Sequence, residues 1–460
     1  MVELISGAYM DRLIIIGGGL AGCEAAWQLA QRGIKVHLFE MRPTQPTGAH
    51  QTGDLAEIVC SNSLGSSLPD RPSGELLGEL KQCGSLLVAC AMGSRLPAGS
   101  ALAVDRTAFS QLVTNRIRSH PRITLTRSEI TDIPSKPVII ASGPLTSPPL
   151  STSLAHFLGR EHLFFFDAIS PIVSAGSIDM QIAFRASRFD RSTLPEGDYV
   201  NCPMDEERYN QFIAGLCGAR TVVLADQERE ITKGVKAGRG PFFEGCLPIE
   251  ILAKRGSNAL AFGPLRPIGM RDPRTGKRPY AVVQLRQDNL SGSLFNLVGF
   301  QTNLAYEEQK RIFRMIPGLE HAEFIRYGQM HRNTYIESPT LLKPSMQTRV
   351  RPDVFIAGQL AGVEGYLGNI ASGLVAGVNA ARWLRSQSPL EFPVNTMIGA
   401  LLNYICHSDP RTFQPMKANF GLLPALEPFI RSKQQRNQAL AERAQKELEK
   451  FLAEYKETQS

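Results

Sequence analysis

The strongest pattern of apolar and polar positions lies near the start of the chain. Leu13-Ile14-Ile15-Ile16 is a short apolar run, and Cys23 to Arg32 sets Ala25, Ala26, Leu29 and Ala30 at helical spacing. Gly17-Gly18-Gly19-Leu20-Ala21-Gly22 stands between them. Gly33 stops the helix, Val36-His37-Leu38-Phe39 reads as a second strand, and Glu40 closes it. The pattern predicts strand, glycine turn, helix, strand and acid, in that order.

From Gly53 to Arg106 the pattern weakens into a Pro-, Gly- and Ser-rich stretch with one helix-like run near Glu75 to Leu87. A loop region this long inside a compact chain is usually functional. Residues 107–119 predict an amphipathic helix with Phe109, Leu112, Val113 and Ile117 on one side. Ile123-Thr124-Leu125 and Val138-Ile139-Ile140 read as strands. Residues 155–335 change texture, with short β-type runs, Pro and Gly turns and few helices. Val354-Phe355-Ile356-Ala357 then returns to a buried strand, followed by small residues from Gly358 to Ala381. After Pro389 the tail is helical and ends in a charged helix from Ser432 to Tyr455. These segments predict a dinucleotide-binding domain in two parts (11–154 and 336–385), an insertion domain (155–335) and a helical C-terminal region (386–460).

Composition narrows the class. At 460 residues the chain has room for two or three domains, and 43% hydrophobic with 20% charged residues excludes a disordered protein. No apolar run approaches the ~18 residues of a membrane span. Asp11 and Arg12 interrupt the apolar start, so no signal peptide is expected. The net charge of +7 permits a polyanionic partner without requiring one. Eight cysteines without a CxxC read as reduced thiols of a cytoplasmic protein, with no metal site.

The glycine turn carries the first chemistry. Gly17 permits the tight turn, Gly19 admits a pyrophosphate, and Gly22 lets the helix pack on the strand. The helix N-terminus faces the phosphates, and Glu40, 18 residues past Gly22, accepts from a ribose hydroxyl. FAD and NAD share this fingerprint. A second glycine-rich segment, Ala357-Gly358-Gln359-Leu360-Ala361-Gly362-Val363-Glu364-Gly365-Tyr366, fits the second wall of a long cofactor such as FAD. It equally fits a helix packed closely through small residues. The absence of a second complete fingerprint and of CxxC argues against a two-dinucleotide disulfide reductase.

Two cysteines differ in setting from the rest. Cys60 lies in a polar loop, and Cys246 follows Lys233, Lys236 and Arg239, basic neighbours that favour a thiolate. Each is either a nucleophile or acid/base group, or a small core thiol. His331, in a polar cluster, stacks on a flat heterocycle or moves a proton, or else is structural. The stretch 266–278, with Arg274, Lys277 and Arg278 and only Asp272 in opposition, is a phosphate-contacting loop or plain exposed surface.

Longer blocks carry a family resemblance. IIIGGGLAGCEAAWQLA, EIVCSNSL, PAGSALAVDR, FFEGCLPIE, GPLRPIGMRDPRTGKRPYAVVQLR, MHRNTYI, IAGQLAGVEGY and FQPMKANFGLLP resemble the bacterial folate- and FAD-dependent tRNA (uracil-5-)-methyltransferases of the TrmFO family, also called Gid. The resemblance runs from about Leu13 to at least Pro424. It implies an α/β fold, a glutathione-reductase-type FAD-binding Rossmann domain with an inserted α+β domain. It implies FAD reduced by NAD(P)H, 5,10-methylenetetrahydrofolate as carbon donor, and the T-loop uridine at tRNA position 54 as acceptor. No obligatory protein partner is implied.

The family's two cysteines fall on Cys60 and Cys246. The resemblance implies Cys246 as nucleophile and Cys60 as acid/base, with the reverse assignment open. It places His331 against the folate pterin and Glu364 near flavin and folate, with Gly358 and Gln359 also at the cofactor. Lys417 departs from the family block, where Asn is expected. The alternatives are a GidA-like (MnmG) enzyme acting on wobble uridines and a non-catalytic FAD- and tRNA-binding protein.

Overall fold

The computed structural model describes residues 12–161, 163–222 and 247–457. Leu13–Ile16 (β1), buried throughout, runs through the glycine turn into Leu20–Gln31 (α1), and Val36–Glu40 (β2) follows. The helix begins three residues before Cys23 because Gly19 already supplies the extended N-cap.

The stretch between Gly53 and Arg106 holds more regular structure than its composition suggests. Ser63–Ser66 (β3), Pro72–Gln82 (α2), Leu86–Gly93 (α3), Arg95–Leu96 (β4) and Ala101–Val104 (β5) form there, and the three strands make a small antiparallel sheet. The single helix expected near 75–87 is two helices. Gly84 turns the chain at φ +73, and the Ser85 side chain then caps α3 by accepting from the Val88 N–H. Strands this short carry too little alternation to be read in advance.

Arg106–Ser119 (α4), Ile123–Arg127 (β6), Val138–Ile140 (β7) and Pro148–Leu158 (α5) follow. The next segment contributes Leu163–Ala168 (β8), Ile172–Ser174 (β9), Phe184–Ala186 (β10), Tyr199–Met204 (β11), Glu206–Gly218 (α6), Ile249–Ala253 (α7), Ala281–Gln287 (β12), Leu294–Leu297 (β13), Tyr306–Phe313 (α8), Phe324–Arg326 (β14) and Met330–Tyr335 (β15). Val354–Ile356 (β16), Tyr366–Leu384 (α9), Met397–His407 (α10) and Lys433–Glu457 (α11) complete the chain. No described helix is long and apolar enough to cross a membrane.

The first sheet, in the order β16-β7-β1-β2-β6, is parallel throughout, as expected of an α/β dinucleotide-binding fold. The second, β10-β11-β12-β13-β9-β14, is antiparallel. Its alternation sorts two faces. Val200, Cys202, Val283 and Leu285 join a core with Phe212, Leu216, Phe300 and Phe313. On the other face Asn201, Gln284, Arg286 and Asn296 are buried although polar. Strands β8 and β15 pair antiparallel from Leu163↔Tyr335 to Ala168↔Met330, so the chain enters and leaves this second region through one ribbon.

Helix α2 anchors the C-terminal helices through two carboxylates. Buried Glu79 accepts from the N–H groups of Met397 and Ile398 at 2.5 and 2.8 Å, at the start of α10. One turn earlier, Glu75 accepts from the Gln445 side chain of α11 at 2.6 Å. Burial pushes Glu79 up to about 8 and Glu75 up to about 7. The folded protein therefore binds these protons more tightly than the unfolded chain. Their stabilising contribution is complete below the ordinary carboxylate range and is lost as pH rises through 7 and 8. The urea midpoint should fall between pH 5.5 and 8.5, by on the order of 2 kcal/mol of stability, and Glu75→Gln/Glu79→Gln should flatten that slope. A wild-type midpoint that rises over this window would contradict the assignment.

Candidate active site

Each glycine of the first turn meets a different surrounding. A side chain at Gly17 (φ +103) would stand 2.4 Å from the Ala141 carbonyl oxygen, and one at Gly22 only 1.9 Å from that of Gly17. Gly18 is closed off by Leu55 at 2.5 Å, whereas Gly19 faces nothing within 4 Å. That open space lies before the N-terminus of α1, which has no side-chain cap. The backbone N–H groups of the first turn, at Leu20 and Ala21, present the positive end of the helix to it. Such an open helix N-terminus can cradle a phosphate.

Glu40 ties the cradle together. One carboxylate oxygen accepts from the Gly18 N–H at 2.8 Å, and the other accepts from the Arg42 N–H and Nε at 2.9 and 3.0 Å. Burial works to raise its pKa, but the Arg42 charge and these donors hold it below the usual carboxylate range. Three donors leave one acceptor position of the four on a carboxylate, on the oxygen that faces Gly18. A ribose hydroxyl can use it.

The second glycine-rich segment approaches from the other side. Gly358, Gly362 and Gly365 all take positive φ, which turns the chain sharply between β16 and α9. A side chain at Gly373 would stand 2.2 Å from the Ala21 carbonyl oxygen, and one at Gly377 2.8 Å from that of Ala25. The small residues therefore do pack one helix on another, and in doing so they bring Gly358 beside Ala21. The buried Oδ1 of Asn369, 3.5 Å from where a Gly358 side chain would begin, has no partner among the described residues, and neither has that of Asn333. Leaving such an oxygen unmatched costs ~1–3 kcal/mol, which a ligand donor relieves. The open cradle, the spare acceptor and the Asn369 oxygen fit a long cofactor such as FAD. Gln359 donates to the Glu364 carboxylate at 3.1 Å, and the Glu364 N–H bonds the Met416 carbonyl, which brings Lys417 to Gly365.

Cys60 joins this wall from the preceding loop. Its N–H donates to the Tyr366 hydroxyl at 3.0 Å, at the first residue of α9. Arg106 donates to the carbonyls of Ile58 and Cys60 at 2.7 and 2.9 Å, and Arg326 to that of Val59 at 2.8 Å. Arg286 donates to Ser61 and Asn62 at 2.6 and 2.7 Å. Asp288 pairs with Arg106 at 3.1 Å. Five other thiols differ in setting. Burial raises Cys23, Cys202, Cys83, Cys90 and Cys406, the last three to about 12, 11 and 12.

Comparison with known proteins agrees with this architecture. The family described as glucose inhibited division protein A matches residues 12–388. The methylenetetrahydrofolate--tRNA-(uracil-5-)-methyltransferase TrmFO of Heliobacterium modesticaldum is 53% identical over 441 residues, covering 96% of this chain and 98% of the relative. The chain belongs to the TrmFO family. The TrmFO of Desulforudis audaxviator is likewise 53% identical, over 96% of this chain and 98% of its own. The solved structure of Aquifex aeolicus GidA shares the fold, with a TM-score of 0.67 at 16% identity, over 97% of this chain and 74% of that one.

In this TrmFO-family chain the remaining predicted positions fall unevenly. Cys246 lies outside the described residues. His331 pairs across β15 with Asp167 of β8, and that strand leads to Ile336, whose N–H bonds the Leu360 carbonyl. Arg274 is already engaged, with Asp272 at 2.7 Å and the Gln181 carbonyl at 2.7 Å, while Lys277 and Arg278 are exposed. Among the described residues no group of three His, Cys, Asp or Glu could hold a metal ion. The sequence reading did not single out Arg106, Arg286, Arg326, Tyr366 or Asn369. The available signal was an arginine closing an apolar run, as Arg106 does after Asp105 in ALAVDR and Arg286 does in AVVQLR.

The glycines predict separable outcomes. Gly19→Val should fold with native circular dichroism but purify without flavin absorbance, since its side chain fills only the cradle. Gly22→Val should fail to fold at all. Full flavin content in Gly19→Val would remove the cofactor from this turn.

Proposed function

We propose that the chain is a folate- and FAD-dependent tRNA (uracil-5-)-methyltransferase of the cytoplasm. It takes a one-carbon unit from 5,10-methylenetetrahydrofolate, with NAD(P)H as reductant, and makes 5-methyluridine at position 54 of the tRNA T loop. The observation that carries this reading is the bond from Cys60 to Tyr366, which sets a thiol beside the second glycine-rich wall. The relatives' shared name, at 53% identity, supports the substrates.

When bound, FAD supplies the reduction that turns a transferred methylene into a methyl. The chain's own residues do the rest. Gly17 to Gly22 and the start of α1 hold the pyrophosphate, Glu40 the ribose, and Gly358 with Gln359 the second wall. His331 and Glu364 orient the folate. Uracil C5 is a weak nucleophile, and addition of a thiolate at C6 converts it to an enolate. Cys246 takes that role. Cys60 accepts the proton that leaves C5 once the new carbon bond has formed, tetrahydrofolate departs from the transferred carbon with its electron pair, and the Cys246 sulfur leaves C6 as thiolate once the methyl is complete.

A T-arm transcript incubated with enzyme, NADPH and labelled methylenetetrahydrofolate should yield labelled 5-methyluridine on nucleoside analysis. A 5-fluorouridine transcript should trap a covalent adduct on wild type and on Cys60→Ala but not on Cys246→Ala. The opposite pattern would exchange the two roles, and normal methylation by both variants would end the two-thiol reading.

The exposed loop supports an RNA contact through Lys277 and Arg278 rather than Arg274, whose guanidinium is held by Asp272. Lys277→Ala/Arg278→Ala should reduce the slope of log binding constant against log salt by about 1–2, whereas Arg274→Ala should change it less. An unaltered slope in the double variant would return the loop to plain surface.

A further inference from the structure

We propose that Arg326, together with Arg106 and Arg286, is a positioning residue that holds Cys60 as a thiolate and fixes its direction. The inference rests on the part given to Cys60 above. Residues 58–62 have no regular structure, yet every one of them receives a guanidinium bond from outside the loop. The three arginines converge from α4, β12 and β14, elements that the chain places far apart in sequence.

The charge balance gives the cluster its second function. Among the described residues Arg106, Arg286 and Arg326 face one carboxylate, Asp288, and two phenols, Tyr199 of β11 against Arg286 and Tyr366 of α9 against Arg326. Cations held out of water need an anion to balance them. Burial lowers the pKa of both Arg286 and Arg326, and Cys60 is among the groups that act the other way. A thiolate at Cys60 adds a second negative charge to this cluster beside that of Asp288. It is also the form needed to take a proton from carbon. Arg326 is the informative member because it is half-buried and makes a single bond to the loop, at the Val59 carbonyl. Arg106 and Arg286 each make two, so their loss removes structure along with charge.

The test is the pH dependence of Cys60 alkylation by iodoacetamide on the purified holoenzyme. It is read by mass spectrometry of the Cys60 peptide, with glutathione in the same tube as reference. In wild type the half-maximal pH should lie about one unit or more below that of glutathione. Arg326→Gln should raise it by about one unit and slow alkylation at neutral pH about tenfold, whereas Arg326→Lys, which keeps the charge, should stay within a few tenths. A wild-type midpoint equal to that of glutathione overturns the proposal without any variant, and so does an Arg326→Gln profile that does not move. Alkylation needs neither RNA nor folate. A methylating enzyme with an unmoved profile therefore sinks this inference alone, and a shifted profile without methylation sinks only the functional reading.

Discussion

The approach of α9 to α1 is the constraint on which the site depends. Ala21 and Ala25 on one helix meet Gly373 and Gly377 on the other, each pair four residues apart and so on one face. A single methyl at Gly373 would overlap the Ala21 carbonyl. Both helices begin where strands of the parallel sheet end, which is where such sheets bind ligands. Their spacing therefore sets the gap between the first glycine turn and the second. Any residue that widened it would separate the phosphate cradle from the wall that carries Asn369 and Tyr366.

The second sheet reaches the candidate site through the Cys60 loop. Burying a polar face is costly unless its groups are matched, and of its four side chains Asn296 alone leaves an atom, Nδ2, without a partner among the described residues. Here Asn201 donates to the carbonyls of Phe184, Ala186 and Tyr199, and Gln284 donates to Asn201. On the same face of β12, two residues further along, Arg286 extends the network to Ser61 and Asn62 of the first region. The polar face is thus the mounting surface for the Cys60 loop. Its apolar opposite, packed on α6 and α8, keeps that surface in place.

What the sequence disclosed followed contact distance along the chain. The opening strand, turn, helix, strand and acid were legible because their partners lie within thirty residues and their periodicities are distinct. The break at Gly84 and the sheet of β3, β4 and β5 were not, because a left-handed glycine and strands of two to four residues leave no period to read. Arg274 seemed available for phosphate, although Asp272, two residues away, takes its guanidinium. The arginines around Cys60 were invisible for a different reason. Arg286 and Asn62 lie 224 residues apart, and only the docking of two sheets makes them neighbours.

The same physics sorts the thiols. A cysteine in an apolar core is held protonated by burial, which is the state of Cys23, Cys90, Cys202 and Cys406. Cys60 is half-buried instead, and its loop is fastened to both regions of the protein. Arg106 comes from the first region, while Arg286, Asp288 and Arg326 come from the second. Neither region alone supplies enough of these bonds to fix five residues that lack secondary structure. The position of this thiol is therefore a property of the assembled chain, and the second sheet belongs to the candidate site as much as the glycine turn does.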